Sequence, residues 1–558
     1  MLVMRKIISL SLAVVSVMAL AVFASCQKDD EVVTRFDATM EGFSVDGKTE
    51  YNVNDGLLYW VPGDQIEIFG TNSNYGTYEY STEVTGNVIP FNHVDGNAGE
   101  PTYRAIYPAS SADVQGRLVL PSVQHSPDGS LTGYPMYAEA DDTFLEFKNL
   151  GGVLKLRLKK QGVVVSSIQL TADRQLSGTF AINYNNGQPI LSDVKGSNSV
   201  TLSCTTPQDI TTAHDFYISV PDRGFEFLQI RIFTADGHVC TKTSYVGINI
   251  SRSNITSLLL TGEDNLNFSA QAGVLPSLFS VADGRTVRFS SGNMQYMTEG
   301  SHAVVGGTAD GIWRFAPNQY DFIGLDNQHV GANYKGWIDF FGWGTSGWSG
   351  SGARYYQPYS YQGSSGANYG PRSQGNEHYD LTGDYAYADW AVYNAISNGG
   401  NQPGLWRTLS KEEWLYLSRR EDGNKCGAGT VNGVGGVILI PDTWSQPAGC
   451  PTFSAAFSDE QDVWGPNHYT IAEWARMEAS GAVFLPASGW RLQSQNSGSN
   501  NIVTDVGIIG YYWSSTAHGS LNSVAAEVMS ISPEIPGGSD FNFHWSRNAG
   551  ISIRPVMD

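Results

Sequence analysis

Between residue 36 and about residue 380 no stretch shows the 3.6-residue apolar period of an ordinary helix, which confines that part of the chain to β architectures. What recurs instead is a period of two. Ile66 and Ile68 alternate with Gln65 and Glu67 beyond the turn Pro62-Gly63-Asp64. Over 153–159, Leu154, Leu156 and Leu158 alternate with Val153, Lys155, Arg157 and Lys159, the pattern of a strand with one wet face. Ala105-Ile106-Tyr107-Pro108, Phe144-Leu145-Glu146-Phe147, Ile168-Gln169-Leu170, 216–220 and 255–260 read as further strands, and Gly151-Gly152 breaks the series in two. A chain of 558 residues is too long for one core. Two successive β-sandwiches, 36–150 and 151–262, satisfy both the period and the length.

The character of the chain changes at about residue 263. Of 14 tryptophans only Trp60 precedes Trp313. We expect 263–279 to be a linker and 280–558 an α+β domain. Helix signals first occur here: a short helix over 389–396, and the capping boxes Ser410-Lys411-Glu412-Glu413 and Thr470-Ile471-Ala472-Glu473. Val437–Pro441 and Ala482–Pro486 read as short buried strands, and the Gly-, Ser- and Tyr-rich span 344–378 as a long ordered loop. With a net charge of -21 and no basic stripe, nucleic-acid binding is excluded.

The membrane-length apolar run lies at the start. Arg5 and Lys6 precede an apolar segment that closes at Ala24-Ser25-Cys26, the layout of a secretory signal over 1–25. A Cys after small residues resembles a bacterial lipoprotein box, which implies lipidation of Cys26, a membrane anchor through that lipid and a tether over 26–35. The acidic run Asp29-Asp30-Glu31 resembles the export signal of Bacteroidota outer-membrane lipoproteins facing outward. Four cysteines remain. If oxidised outside the cell, the economical pairs are Cys204 with Cys240 and Cys426 with Cys450, and the alternative is four buried thiols.

The first half carries a more specific resemblance. Phe36-Asp37-Ala38-Thr39-Met40, Lys48-Thr49, Trp60-x-x-Gly63-Asp64-x-Ile66, Tyr107-Pro108 and Phe147-x-Asn149-Leu150 resemble, in that order, the fimbrillin-like pilins of Bacteroidota. That resemblance covers 36–262. It implies two transthyretin-like sandwiches, partner pilin subunits joined by strand exchange, and proteolytic removal of the lipidated N-terminal segment, for which Arg35 and Lys48 are the candidate sites.

The last 280 or so residues resemble the bacterial C-type-lectin-like fold related to formylglycine-generating enzymes. Trp406-Arg407-x-Leu409-x-x-x-Glu413-Trp414, Leu485-Pro486-Ala487-x-Gly489, Tyr512-Trp513-Ser514-Ser515 and Arg547-x-x-Gly550-x-Ser552-x-Arg554 carry that resemblance. It implies a ligand surface between Trp-Ser-Ser and the last arginine. Within that segment His518, Asn522, Glu527, Asp540, Asn542, His544 and Trp545 are the candidate ligand-binding residues, polar and aromatic side chains on a fixed scaffold. Trp513 and Arg554 match scaffold positions, and Met529 and Phe541 read as core.

The calcium-and-sugar signatures of animal lectins are missing, and Cys426 and Cys450 lie well upstream of the segment where a formylglycine-generating cysteine pair belongs. No Gly-x-Ser-x-Gly, His-Glu-x-x-His, Walker loop or Cys-x-x-Cys occurs. The reading is therefore mainly β and not an enzyme, with no cofactor or metal: a cell-surface fimbrial tip adhesin that begins as an outer-membrane lipoprotein. Its C-terminal domain would bind a protein or glycan ligand. A non-polymerising surface lipoprotein receptor is the alternative, and a formylglycine-generating-type enzyme a more distant one.

Overall fold

The computed structural model describes residues 32–45, 60–71, 74–81, 88–262, 265–298, 311–330, 334–359, 365–372, 378–418, 425–457, 463–492, 502–519, 524–533 and 544–558. The signal segment, Cys26, Lys48, Asn522, Asp540, Phe541 and Asn542 lie outside them. The fold is mainly β, and no helix among the described residues is long and apolar enough to cross a membrane.

The first β unit closes on itself. Its seven strands run in the order Arg35–Met40, Phe144–Asn149, Met136–Ala140, Tyr103–Tyr107, Gln65–Phe69, Tyr75–Glu79 and Ile89–Gly96, and the last pairs with the first. Ile66 and Ile68 point inward as their period requires. Trp60, Tyr107 and Phe147, from three of the sequence motifs, meet in one place: the Trp60 ring stands edge-on to Tyr107 and Phe147, and also to Phe91, with centroids 4.7, 5.6 and 5.0 Å away. Gly63 takes a positive φ of 100°, and Asp64 accepts from the Val61 N–H (2.7 Å) and from the Tyr107 hydroxyl (3.0 Å). The spacing Trp-x-x-Gly-Asp is thus a turn that seats the indole.

The second unit packs a four-stranded sheet against a six-stranded one. Leu154, Leu156 and Leu158 of Gly151–Leu158 face Ile168, Leu170, Leu202 and Ile232 across the core. Lys155 and Arg157 point away and pair with Asp215 at 2.9 and 3.6 Å. Val153, expected on the wet face, is buried against the first unit, because that end of the strand abuts the ring.

The boundary expected at residue 150 divides the sequence but not the fold. Leu118–Leu120 pairs with Ser177–Asn185, and Val123–Ser126 runs parallel to Ser199–Asp209, both in sheets of the second unit. Ser44–Val45 likewise joins the second unit beside Asn254–Leu260. Leu118 and Leu120 pack with Phe69, Ile106 and Phe180 in a small core shared by the two units.

The expected linker 263–279 is also structured. Ala270–Gln271 adds an edge strand to the six-stranded sheet, and Leu266, Ala272 and Leu275 are buried. The chain therefore enters the C-terminal domain without a free hinge among the described residues.

In that domain a four-stranded sheet (Asn467–Tyr469, Cys426–Val431, Val434–Leu439, Val483–Pro486) separates two cores. A third, tryptophan-rich core holds Trp313, Trp343, Trp390, Trp406 and Trp513. Three α-helices are described: α1 (Trp390–Tyr393), α2 (Lys411–Ser418) and α3 (Ile471–Ala479). The Thr470/Glu473 capping box starts α3, and Ser410 and Glu413 make the reciprocal pair that starts α2. The Trp-Arg-x-Leu-x-x-x-Glu motif is explained by that second cap. Arg407 grips Glu413 with both guanidinium nitrogens (2.7 and 2.8 Å) and also reaches Asp558 at 2.7 Å, fastening α2 to the strand that ends the chain.

Neither candidate disulfide is present. Cys204 and Cys240 lie on strands with two others between them, which at sheet spacing is about 14 Å, too far for a disulfide. Cys426 belongs to one core of the four-stranded sheet and Cys450 packs at the other, where its Sγ lies 3.3 Å from the Glu473 carbonyl oxygen. Burial pushes the Cys204 thiol up to about 11 and raises Cys240 and Cys450, so these thiols stay protonated and unreactive. Titrating the unfolded, unreduced protein with a thiol reagent should find all of Cys204, Cys240, Cys426 and Cys450 reduced, and dithiothreitol should leave the melting temperature unchanged. A lowered melting temperature on reduction would contradict this arrangement. Arg407→Met, which leaves the buried Glu413 with only the exposed Arg285 as counter-ion, should cost about 3 kcal/mol in denaturant unfolding followed by tryptophan fluorescence.

Candidate ligand-binding surface

The surface is built on a three-stranded antiparallel sheet, Gly510–Ala517, Ala525–Ile531 and His544–Ser546. The first pair is in register from Gly510 to Trp513 and regains register only at Ala517 opposite Ala526. That irregularity is the Trp-Ser-Ser motif. The Trp513 indole donates to the Phe341 carbonyl (2.7 Å), the Ser514 carbonyl accepts from the Trp343 indole (2.9 Å), and the Ser514 hydroxyl donates to the Glu527 carbonyl (2.9 Å). The Ser515 N–H donates to the Leu409 carbonyl, its carbonyl accepts from the Leu381 N–H, and the Thr516 N–H donates to the Ser514 hydroxyl, contacts that hold the bulge.

Buried arginines hold the irregular backbone around it. Arg547 donates from Nε to the Gly366 carbonyl (3.1 Å) and from Nη1 to the Ala525 carbonyl (3.0 Å). A Cβ on Gly366 would stand 2.0 Å from the Val524 carbonyl oxygen, so only glycine allows this approach. Arg554 donates to Gln319 (2.6 Å), and Arg491 to the Asn327 carbonyl (3.0 Å). Burial drives Arg547 down to about 9 and the other two to about 10, and all three remain cationic at neutral pH. Trp513 and Arg554 are scaffold, as expected, and Met529 is core.

Of the expected contact residues, the structure brings His518, Glu527 and His544 together. The two imidazoles stack with centroids 4.0 Å apart and 21° between planes, and His518 Nδ1 lies 2.9 Å from Glu527 Oε1. Glu527 is buried and also pairs with Lys411 at 3.0 Å, so it orients the histidines from beneath rather than facing solvent. His544 is exposed and His518 half-buried. Trp545 lies on Trp490 (4.2 Å) and meets Tyr511 edge-on (5.5 Å), which leaves only part of its ring for a ligand.

Three further contributors had no signal in the sequence. Lys411 is the first residue of α2, a place where a cation is disfavoured by the helix dipole, and Glu527 compensates it. Asp380 accepts from the Ala517 N–H at 2.8 Å and sets the edge of the surface. Beside Asp380 in the chain, Tyr379 stacks on Tyr385 at 4.9 Å with 12° between planes. All three come from segments that meet the sheet only in three dimensions. Among the described residues no group of three metal-ligating side chains is assembled. Among the described residues the surface offers imidazole and phenol groups for hydrogen bonding and aromatic faces for stacking.

No family model matches the chain, and no curated protein is found similar to it. Solved structures that match include a candidate cell adhesion protein from Bacteroides ovatus, 14% identical over 42% of this chain and 93% of its own, with a TM-score of 0.28. A fimbrial protein from Bacteroides ovatus is 9% identical over 43% of this chain and 51% of its own (TM-score 0.21). A fimbrial assembly protein from Parabacteroides distasonis is 8% identical over 46% of this chain and 98% of its own (TM-score 0.21). Each alignment covers less than half of this chain.

Two carboxylates buried in the scaffold make its stability depend on pH. Asp339 accepts from the Ile323 N–H (2.8 Å) and the Asn327 amide (2.6 Å), and Asp389 caps α1 and accepts from Thr408. Burial raises both to about 6. A carboxyl raised above its unfolded value binds a proton in the folded state first, so its ionisation lowers stability as pH rises between about 4 and 6. Asp558, lowered by its hydrogen bond from Arg407, acts the opposite way only below its usual range. The tryptophan-monitored melting of the C-terminal domain should therefore occur at a higher temperature at pH 5 than at pH 7. A melting temperature at pH 5 equal to or below that at pH 7 would show that these carboxyls are ionised at little cost.

Proposed function

We propose that this chain is the terminal, ligand-binding subunit of a cell-surface filament, made as an exported lipoprotein. In this reading the two β units form the stalk end, and the C-terminal lectin-like domain presents the His518/His544 surface to a protein or glycan. The observation that carries the reading is the fate of Asn254–Leu260. A subunit in the middle of a strand-exchange filament must offer a strand to its neighbour. Here that strand lies inside a sheet, between Gly151–Leu158 and Ser44–Val45, and continues into the C-terminal domain. The subunit is built to accept a strand rather than to donate one.

The acceptor slot has a candidate position. Arg35–Met40 fills the ring between Ile89–Gly96 and Phe144–Asn149, with Phe36 and Ala38 in the core. Cleavage after Arg35 leaves the strand in place, and Phe36 directly after that bond is buried. Cleavage after Lys48 frees Arg35–Met40 and Ser44–Val45 together, opening both sides of the slot in the ring and the Asn254–Leu260 edge to a partner strand. Arg35 is therefore the weaker of the two candidate sites.

Filaments purified from the source cell test this. The chain should be found at filament ends with its N-terminus just after Lys48, and His518→Ala/His544→Ala should reduce filament adhesion at least tenfold with assembly and melting unchanged. Recovery only from the outer membrane, with Cys26 lipidated and 26–48 intact, would overturn the filament reading in favour of a membrane-held receptor.

A further inference from the structure

We infer that the joint between the second β unit and the C-terminal domain is a binding site for a neutral saccharide, separate from the terminal surface and independent of it. The outer face of the six-stranded sheet and helix α3 enclose a cleft of about 400 Å³, a size ordinary for small-ligand sites. Gln169, Gln229, Thr241 and Thr243 form the floor, and Ala475, Glu478 and Ala479 of α3 form the roof. The alanines leave the room that larger side chains would fill. Val274 and Pro276 supply an apolar wall.

The charges of the cleft are already balanced. Arg231 pairs with Glu478 and donates to the Pro317 carbonyl at 3.0 Å and to Gln169 at 3.4 Å. The other oxygen of Glu478 accepts from Gln319 at 3.0 Å. Inside the cleft, where Arg231 and Glu478 are the charged lining residues, a charged ligand would find no free counter-ion and would lose its hydration. Amides and hydroxyls remain, with the amide of Gln229 held only by a 3.3 Å contact to Thr243. Tyr245 at the rim is 40% exposed and carries the Arg476 guanidinium 3.5 Å from its ring centre. Amides, hydroxyls, the Phe233 and Tyr245 rings and an apolar wall match a ligand with many hydroxyls and C–H faces.

An inner recess of about 10 Å³ continues the cleft past Gln229, Arg231 and Glu478. Tyr320 and Trp474 line it, and they are 4% and 2% exposed. Neither the Tyr320 hydroxyl nor the Trp474 indole N–H has a hydrogen-bond partner. Buried polar groups left unpaired are costly, and two beside one cleft point to a group that completes them. A ligand hydroxyl suits both, accepting from the indole and exchanging a hydrogen bond with the phenol.

The test is isothermal titration of the full chain with neutral hexoses, N-acetylhexosamines and their disaccharides, with glucuronate and inorganic phosphate as charged controls. At least one neutral sugar should bind and raise the melting temperature, and the charged controls should not. Trp474→Phe, which removes the indole N–H together with one ring of the indole, should weaken that sugar about tenfold and lower the melting temperature of the free protein through the void it leaves. Tyr320→Phe, which keeps its ring and removes only the unpaired hydroxyl, should weaken the sugar about tenfold with melting of the free protein unchanged or raised. Gln229→Leu should do the same from the floor of the cleft. If no neutral sugar binds, the joint holds only solvent and the inference is overturned. It is equally overturned if a sugar binds the wild type and all three variants alike.

Discussion

Strand edges govern how the whole molecule is assembled. A backbone that is mostly strand has to hydrogen-bond its exposed N–H and C=O groups somewhere, and an open edge invites a second chain. The first unit meets this by closing into a ring with Arg35–Met40 as the last stave. The second cannot close, so it borrows Ser44–Val45 and Val123–Ser126 from earlier in the chain and Ala270–Gln271 from later. These loans join the two β units and the C-terminal domain into consecutive contact. The slot that makes a ring also makes an acceptor, which is why one N-terminal strand links stability to assembly in the proposed function.

The C-terminal domain faces the same demand with far less regular structure. Its long segments between short strands carry carbonyl groups that no ladder satisfies, and buried arginines take that place. Arg491 and Arg547 donate to backbone carbonyls, and Arg554 fixes Gln319, whose side-chain oxygen also accepts from the Phe484 N–H. A guanidinium has five donors in a fixed plane and can tie several strands of irregular chain at once. The irregular backbone thereby becomes stiff enough to carry the paired histidines in a fixed relation. Glu527 completes the arrangement by linking His518 to α2 through Lys411.

Local signals in the sequence were read correctly wherever the physics is local. The Ser410 and Thr470 capping boxes, the inward Ile66/Ile68 pair and the strands around 437 and 483 depend on residues a few positions apart, and the structure has them. The scaffold roles of Trp513 and Arg554 were legible too, because their motifs place aromatic and cationic groups at positions set by the backbone. Of the candidate site, His518, Glu527 and His544 were legible as a group of polar side chains in an aperiodic segment. Their mutual stacking and the burial of Glu527 were not. Lys411, Asp380 and the Tyr379/Tyr385 pair were missed, since they reach the site from segments more than 100 residues earlier.

By itself the sequence determined the class of structure: β units ahead of an α+β domain, the inward face of strongly alternating segments such as 65–68, and the starts of the capped helices. Period and capping act over one or two turns of chain, so they need no knowledge of the rest. Only the tertiary structure decided which sheet each strand entered. An alternating segment such as 118–126 is compatible with either unit, and pairing is settled by edges that come together over long separations. The same reason removed the expected pairing of Cys204 with Cys240: they are close in sequence, but the sheet order sets Val164–Ala172 and Leu228–Thr234 between their strands. The joint cleft, too, exists only because α3 lies across a sheet formed more than 200 residues earlier.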